Sequence, residues 1–168
     1  MAKIKPLNKE ILRQHKGISF VGVSTCFICY DDQKRIFLAQ RSKNSRDEHG
    51  KWDNGGGGLK VGQTLIENLK RELKEEYTVD PIKIDFLTFR EVFRDETTNN
   101  QKTHWIAFYY LVKVDHDQVR INEPDMFDDS DWFTIDNLPI PLHHESQIVF
   151  KEYYAEITKI INKNINNN

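Results

Sequence analysis

The chain has 168 residues, 24 Lys plus Arg against 26 Asp plus Glu, and a formal net charge of -2. With 38% hydrophobic and 30% charged residues it has apolar content for one core and is too apolar for a disordered chain. Charge this evenly balanced leaves no broad basic footprint for a nucleic-acid polymer or an anionic membrane, so small-molecule partners are expected. The longest apolar run, Trp105 to Val112, is far short of the roughly 20 residues of a membrane helix, and MAKIKPLNKE has no secretory apolar core, so the expected location is cytoplasmic.

In chain order, Asn8 can cap a short helix through Ile11, Leu12 and His15, with Gly17 as its stop. Ile18 to Tyr30, rich in β-branched and aromatic residues, reads as a strand; Asp31-Asp32 turns it, and Arg35 to Arg41 reads as a second. Cys26 and Cys29 form a C-x-x-C spacing, but residues three apart on a strand face opposite ways, so two ordinary thiols are expected. A polar loop, RSKNSRDEHGK, leads to Trp52 and four consecutive glycines. Thr64 and Glu67 then have the spacing of a capping box, Leu65, Leu69 and Leu73 recur every four residues, and Pro81 bars continuation of that helix. Ile82 to Phe93 and His104 to Val114 read as strands joined by RDETTNNQKT, a hairpin or a mobile loop. Asp131 to Ile135, led by Ser130, is a further short strand, and Ile148, Phe150, Tyr154, Ile157 and Ile161 give a helix from about Ser146, before a frayed NKNINNN end. Strands and helices interleave, so one α/β or α+β domain is expected.

The chemistry concentrates in one segment. Five of the eight glycines fall between Gly55 and Gly62 and lead into LIENLKRELKEE. Glycine lets backbone amides and carbonyls approach a ligand closely, which suits phosphate or metal; Asn54-Gly55 alone would equally make a hairpin turn. The helix breaks the tie. At about 100° per residue from Leu69, Glu76 falls near about -20°, Glu72 near about -60° and Glu75 near about -120°, so three carboxylates run from the buried stripe outward along one flank, with Arg71, Glu67 and Lys74 on the far side. Carboxylates so crowded repel unless a cation sits among them, either a hard divalent ion or an Arg or Lys network.

Gly57, Gln63 and the run Arg71-Glu72-Leu73-Lys74-Glu75-Glu76-Tyr77-Thr78-Val79 together resemble the Nudix box, the signature of the Nudix hydrolases. QRSK, GKWDNGGGG and SDWFTIDNLP are similar to the usual flanks of such a domain. The resemblance implies an α/β/α sandwich around a mixed β-sheet over residues 18–162, preceded by a helical extension over 1–17 and followed by a disordered tail over 163–168. It implies Mg2+-dependent hydrolysis, with Mn2+ as a substitute, of a nucleoside diphosphate linked to X. Glu72, Glu75 and Glu76 would hold the metal with a carbonyl of Gly56 or Gly57, and Arg71, pointing away from that flank, would orient the loop or a neighbouring carboxylate. Gln63 stands where the family has Glu, weakening a second or third metal; Thr78 stands where it has Gly, so the helix is expected to end differently.

For the base that takes the water's proton, Glu72 or Glu75 could serve, and Glu91, Glu96 and Glu123 are candidates outside the box; Glu123, in the acidic NEPDMFDDSDWF, is favoured, with Asp125, Asp128 and Asp129 nearby. Arg41, Lys43 and Arg46 could meet the terminal phosphates or the leaving group, with Arg41 and Arg46 kept as substrate-binding residues. Phe20, Trp105, Phe108 and Trp132 offer faces for stacking, Trp105 foremost, whereas His104, His143 and His144 are expected at the surface. Gln63 and Arg71 are assigned to orientation. A nucleoside triphosphate is the favoured substrate, followed by ADP-ribose or another nucleotide sugar; a catalytically lapsed nucleotide-binding module and an isoprenoid diphosphate isomerase are alternatives, though the isomerase's Cys and His pattern is not evident. A homodimer is admitted, with no edge singled out.

Overall fold

β1 (Gly22–Tyr30) runs through the centre of a seven-stranded mixed sheet ordered β3-β2-β1-β6-β5 in the computed structural model, which describes residues 9–96 and 101–166. The other strands are β2 (Arg35–Arg41), β3 (Trp52–Asp53), β4 (Gly55–Gly58), β5 (Lys83–Glu96), β6 (Gln101–Lys113) and β7 (Phe127–Thr134). One edge of β1 pairs in parallel with β6 along its whole length, from Gly22 opposite Trp105 to Tyr30 opposite Lys113. The other edge is shared. Cys29 and Tyr30 pair with β2, while Ser24 to Phe27 pair antiparallel with the four glycines of β4. The sheet therefore forks near Phe27, with β2 leading away to β3 and β7.

Helices cover both faces. α2 (Leu65–Tyr77) lays Leu69, Leu73 and Tyr77 on Phe27, Cys29, Phe37 and Val112; α3 (His144–Glu152) and α4 (Tyr154–Asn166) lay Val149, Phe150, Ile157 and Ile161 on Ile28, Ile36, Leu38 and Leu111. This is the expected sandwich around a mixed sheet. Cys26 and Cys29 fall in opposite layers, as alternation requires, and both are free thiols. Among the described residues no helix is long and apolar enough to cross a membrane.

Several boundaries differ from the sequence reading. α1 (Lys9–His15) ends as expected at Gly17, but Gly17 at φ +80° reverses the chain, with Ile18 and Ser19 N–H both donating to the His15 carbonyl, so β1 starts at Gly22 rather than Ile18. The helix cap expected at Asn8 lies outside the described residues. The glycine run is a strand rather than a loop, because β1 supplies a pairing edge that glycines do not advertise. β7 is longer than expected, as its Asp residues face outward while Phe127 and Trp132 pack inward. The single C-terminal helix is two, interrupted at Tyr153 (φ -110°, ψ 20°). The tail expected to be disordered from 163 is helical to Asn166: buried Asn164 donates to the Tyr30 hydroxyl and to Asp85, both at 2.7 Å, and accepts from Lys83. β5 and β6 extend to Glu96 and from Gln101, and the tip of the RDETTNNQKT segment lies outside the described residues.

Candidate active site

The fork in the sheet opens onto a cleft of about 290 Å³. Its lining includes β4, Ser24 and Cys26 of β1, Glu76 of α2, Val92 and Arg94 of β5, Trp105, Ala107 and Tyr109 of β6, and the start of α3.

α2 begins with the capping box read from the sequence: Thr64 N–H donates to Glu67 Oε2 at 2.7 Å, and Glu67 N–H to Thr64 Oγ1 at 3.2 Å. Its carboxylates emerge in graded burial. Glu76 is 9% exposed, the Glu72 side chain 13% and the Glu75 side chain 45%. Two of the glycines exist for this contact: a Cβ on Gly55 would stand 2.5 Å from Glu76 Oε2, and one on Gly57 2.1 Å from Glu72 Oε1. Gly56 N–H donates to Glu76 Oε2 at 3.2 Å. Burial, reinforced by Glu72, nevertheless pushes the Glu76 carboxyl well above the ordinary carboxylate range, and burial also raises Glu72 against the opposing Arg71.

Arg71 does not point away from this flank, as expected from helical angle alone. Its long side chain folds back along the helix and donates to Glu75, to Glu72 at 2.5 Å, to Asn68 Oδ1 at 2.6 Å and to Gln63 Oε1 at 3.3 Å. Gln63 thus spends its oxygen on the arginine. Thr78 also departs from expectation: it takes the left-handed conformation itself, φ 56° and ψ 6°, so α2 ends in the geometry a glycine would give, on a β-branched residue.

The donor set fits a hard divalent cation. A carboxylate as buried as Glu76, which accepts from the Gly56 N–H and whose neutral form is favoured, gains most from positive charge brought alongside, and the missing side chains of β4 leave room for an ion. Among the described residues the groups of three ligand atoms lying within 4.8 Å are Asp31, Asp32 and His116, and Asp115, His116 and Asp117, none of which lines the cleft. Of the box carboxylates Glu76 lines the cleft, while Glu72 and Glu75 lie outside its lining and are joined through Arg71.

Glu123 lines the cleft and its charge helps raise Glu76. Its loop is clamped from both sides: Asn122 N–H donates to the Glu76 carbonyl at 2.8 Å, and Ser42 Oγ and Ser45 Oγ donate to the Asp125 and Met126 carbonyls. Glu91 points from the other face of β5, 3.5 Å from His104, while the Glu96 side chain lies outside the described residues. Asp128 and Asp129 are exposed on β7, and neither they nor Asp125 line the cleft. Arg41 and Arg46 line it, whereas Lys43 does not. Arg41 bonds Asp47 at 2.8 Å and Asp53 at 3.2 Å; Arg46 reaches Asp47 at 3.3 Å. Trp105 lines the cleft, but Phe108 packs towards α2, Trp132 packs on Phe37, and Phe20 is exposed elsewhere.

Residues 21–154 match the NUDIX domain family. The chain belongs to the Nudix hydrolase family. As a pyrophosphohydrolase of that class it is similar in structure to a MutT NUDIX hydrolase from Burkholderia pseudomallei, at 26% identity and TM-score 0.68, covering 79% of this chain and 97% of that one. A MutT protein from Methanosarcina mazei Go1 shares the fold at 22% identity and TM-score 0.68, over 81% and 94% of the two chains. So does the NUDIX domain of Shewanella oneidensis NrtR, solved in complex with ADP ribose, at 18% identity and TM-score 0.65 over 90% and 99%.

The Nudix cleft also holds residues the sequence did not single out. Arg94 bonds Asp47 at 2.7 Å and donates towards His143 Nε2 at 3.2 Å. His143, expected at the surface, is 3% exposed and caps α3, its Nδ1 accepting from Glu145 N–H. Burial holds its pKa below the usual histidine value, and Arg94 opposes protonation further, against the pull of Asp53 and Glu48. Ser146 Oγ bonds Asp53 and Asn54 at 2.5 and 2.8 Å, joining α3 to β3 beneath the glycine strand. His144 is exposed as expected. Burial lifts the Cys26 thiol to about 12, which leaves it without thiolate chemistry at neutral pH.

Proposed function

We infer that this Nudix hydrolase cleaves the diphosphate linkage of a small nucleotide, a nucleoside triphosphate or another nucleoside diphosphate linked to X. The observation that carries the reading is the pairing of buried Glu76 with Glu72 against a side-chain-free strand, at the inner end of a cleft that also presents Arg41, Arg46 and Trp105. Glu72, Glu75 and Glu76 are the residues to hold Mg2+ or Mn2+, with the Gly57 carbonyl. A divalent ion held there supplies charge neutralisation at the phosphoryl oxygens and lowers the pKa of water.

The chain's own groups do the rest. Water adds to a phosphorus atom, the P–O anhydride bond breaks, and the electron pair leaves with the departing phosphate. Glu123, fixed by its clamped loop at the edge of the cleft, accepts the proton from the attacking water. Arg41 and Arg46 face the phosphates, Trp105 offers its ring to the organic moiety, and Arg71 with Gln63 keeps Glu72 and Glu75 aligned. Triphosphates are the favoured substrates, given the acidic Glu123 loop. ADP-ribose is the second reading, supported by the ADP-ribose complex of the Shewanella domain. On either reading the enzyme works on cytoplasmic nucleotide pools.

The test is release of phosphate, pyrophosphate or nucleoside monophosphate from triphosphates, ADP-ribose and dinucleoside polyphosphates, with Mg2+ and with chelator. Selective turnover lost on chelation is expected. Folded protein that yields no product with either ion across this panel would sink the reading.

A further inference from the structure

The family match begins at residue 21, yet the turn just before it packs against Trp105, which lines the cleft. Gly17 and Gly22 clasp the indole of Trp105: a Cβ on Gly17 would stand 2.3 Å from its Nε1, and one on Gly22 2.4 Å from its Cε3. His104 N–H donates to the Gly17 carbonyl at 2.7 Å, and Gly17 N–H to the Phe20 carbonyl at 2.8 Å, which locks the turn onto β6. The consequence is the position of Lys16. Its ammonium lies 5.6 Å from the Trp105 ring centre, donates to the Leu59 carbonyl, and sits 3.1 Å from where a Gly58 Cβ would be. Trp105 and Gly58 both line the cleft, so Lys16 stands beside its rim, across the glycine strand from Glu72, whose charge still reaches it.

The other cations around the cleft all have carboxylate partners. Arg41, Arg46 and Arg94 converge on Asp47, Arg71 is divided between Glu72 and Glu75, and Lys60 lies 3.5 Å from Glu75. Among the described residues Lys16 is the cation of this group bonded to a carbonyl and not to a carboxylate. An ammonium has three N–H donors, and Leu59 takes one. A dianionic ligand entering the cleft therefore meets one lysine bonded to a carbonyl and to no carboxylate, beside a strand with no side chains to obstruct it.

We propose that Lys16, from the segment ahead of the family domain, is a phosphate-binding residue of this site, its remaining N–H donors taking a phosphoryl oxygen over the Gly58 end of β4. The ligand class is a diphosphate group, alone or in a nucleotide; that this group belongs to a hydrolysed substrate rests on the function inferred above.

Binding is the primary readout. Titration of inorganic pyrophosphate, and of an α,β-methylene nucleoside diphosphate that cannot be cleaved, into Mg2+-containing protein is followed by calorimetry. Lys16→Met is expected to weaken both about tenfold, to leave binding of the uncharged nucleoside unchanged, and to reduce the salt dependence; Lys16→Arg recovers most of the loss. Amine acetylation read by mass spectrometry repeats the test on the wild-type chain: pyrophosphate should slow modification of Lys16 but not of Lys43. Affinity of Lys16→Met within twofold of wild type, or no protection of Lys16, overturns the proposal. The two readings fail separately. Turnover by the wild type with Lys16→Met indifferent in binding removes Lys16 alone, whereas Lys16-dependent pyrophosphate binding without turnover keeps this site and removes the hydrolase.

Discussion

Thr78 ends α2 at φ 56°, a region where an L residue with a Cβ costs about 1–2 kcal/mol and glycine almost nothing. Replacing it by Gly and by Ala isolates that cost, because both variants lose the hydroxyl and its exposed 3.3 Å bond to the Arg120 carbonyl and differ only in the Cβ. Glycine gives back about 0.5–1 kcal/mol through the greater freedom of its unfolded chain. The difference leaves Thr78→Gly more stable than Thr78→Ala by roughly 0.5–1 kcal/mol, the reverse of the order at an ordinary helical position. In a chain of this size that is a Tm gap of about 1–4 °C. Urea unfolding followed by the fluorescence of the three tryptophans should show a higher midpoint for the Gly variant at unchanged slope. An Ala variant as stable as the Gly variant, or more so, would refute a left-handed Thr78.

Glu76→Gln should abolish turnover yet raise the Tm of metal-free protein by a few degrees, since it removes a carboxylate whose charge burial disfavours; a lower Tm, or retained turnover, would contradict the role. His143 supplies a pH signature. Its folded pKa is lowered, so the unfolded chain takes up a proton as pH falls through about 6.5 while the folded chain does not, and its contribution to stability should decline from pH 7 towards 5.5, opposite in sign to that of Glu76, whose raised carboxyl takes up a proton in the folded chain. Asp47 and Glu48, also lowered, act only further into acid, so His143→Gln should make the slope of stability against pH in that window less positive than in the wild type; an unchanged slope in the variant would discount the histidine. Asn164→Ala leaves the Tyr30 hydroxyl and Asp85 without their 2.7 Å donor and should cost about 1–3 kcal/mol in chemical denaturation, whereas a frayed tail would register no change.

What could be read in advance followed the range of the forces involved. Leu65, Leu69, Leu73 and the three glutamates lie within one helix, where side-chain direction follows from spacing alone, and their graded burial was visible in the sequence. Arg71 was misplaced because helical angle fixes the Cβ, not the end of a long side chain free to reach Asn68, Glu72 and Glu75. The glycine strand was hidden for the opposite reason: without side chains it carries no alternation, and the partner that makes it a strand lies some thirty residues earlier in β1. His143 was hidden by distance. Its surroundings are assembled from Glu48, Asp53 and Arg94, on separate elements that converge only when β5 and the start of α3 meet across the cleft. The start of β7 was missed because Asp128 and Asp129 break the apolar pattern, while the strand is set by its backbone pairing with β2 some ninety residues away.

The second layer of the core has a practical consequence for where this chain can be cut. The stretch recognisable as a Nudix domain stops at residue 154, but Ile157 and Ile161 are almost fully buried beyond it, and Asn164 ties the final turn to β1 and β5. At the other end, the turn that clasps Trp105 begins before residue 21. A fragment trimmed to the recognised borders would present one sheet face without α4 over it and Trp105 without the turn that holds it. The piece that is inherited as a module and the piece that folds as a body are here of different lengths, and expression boundaries, fusion points and affinity tags should follow the second.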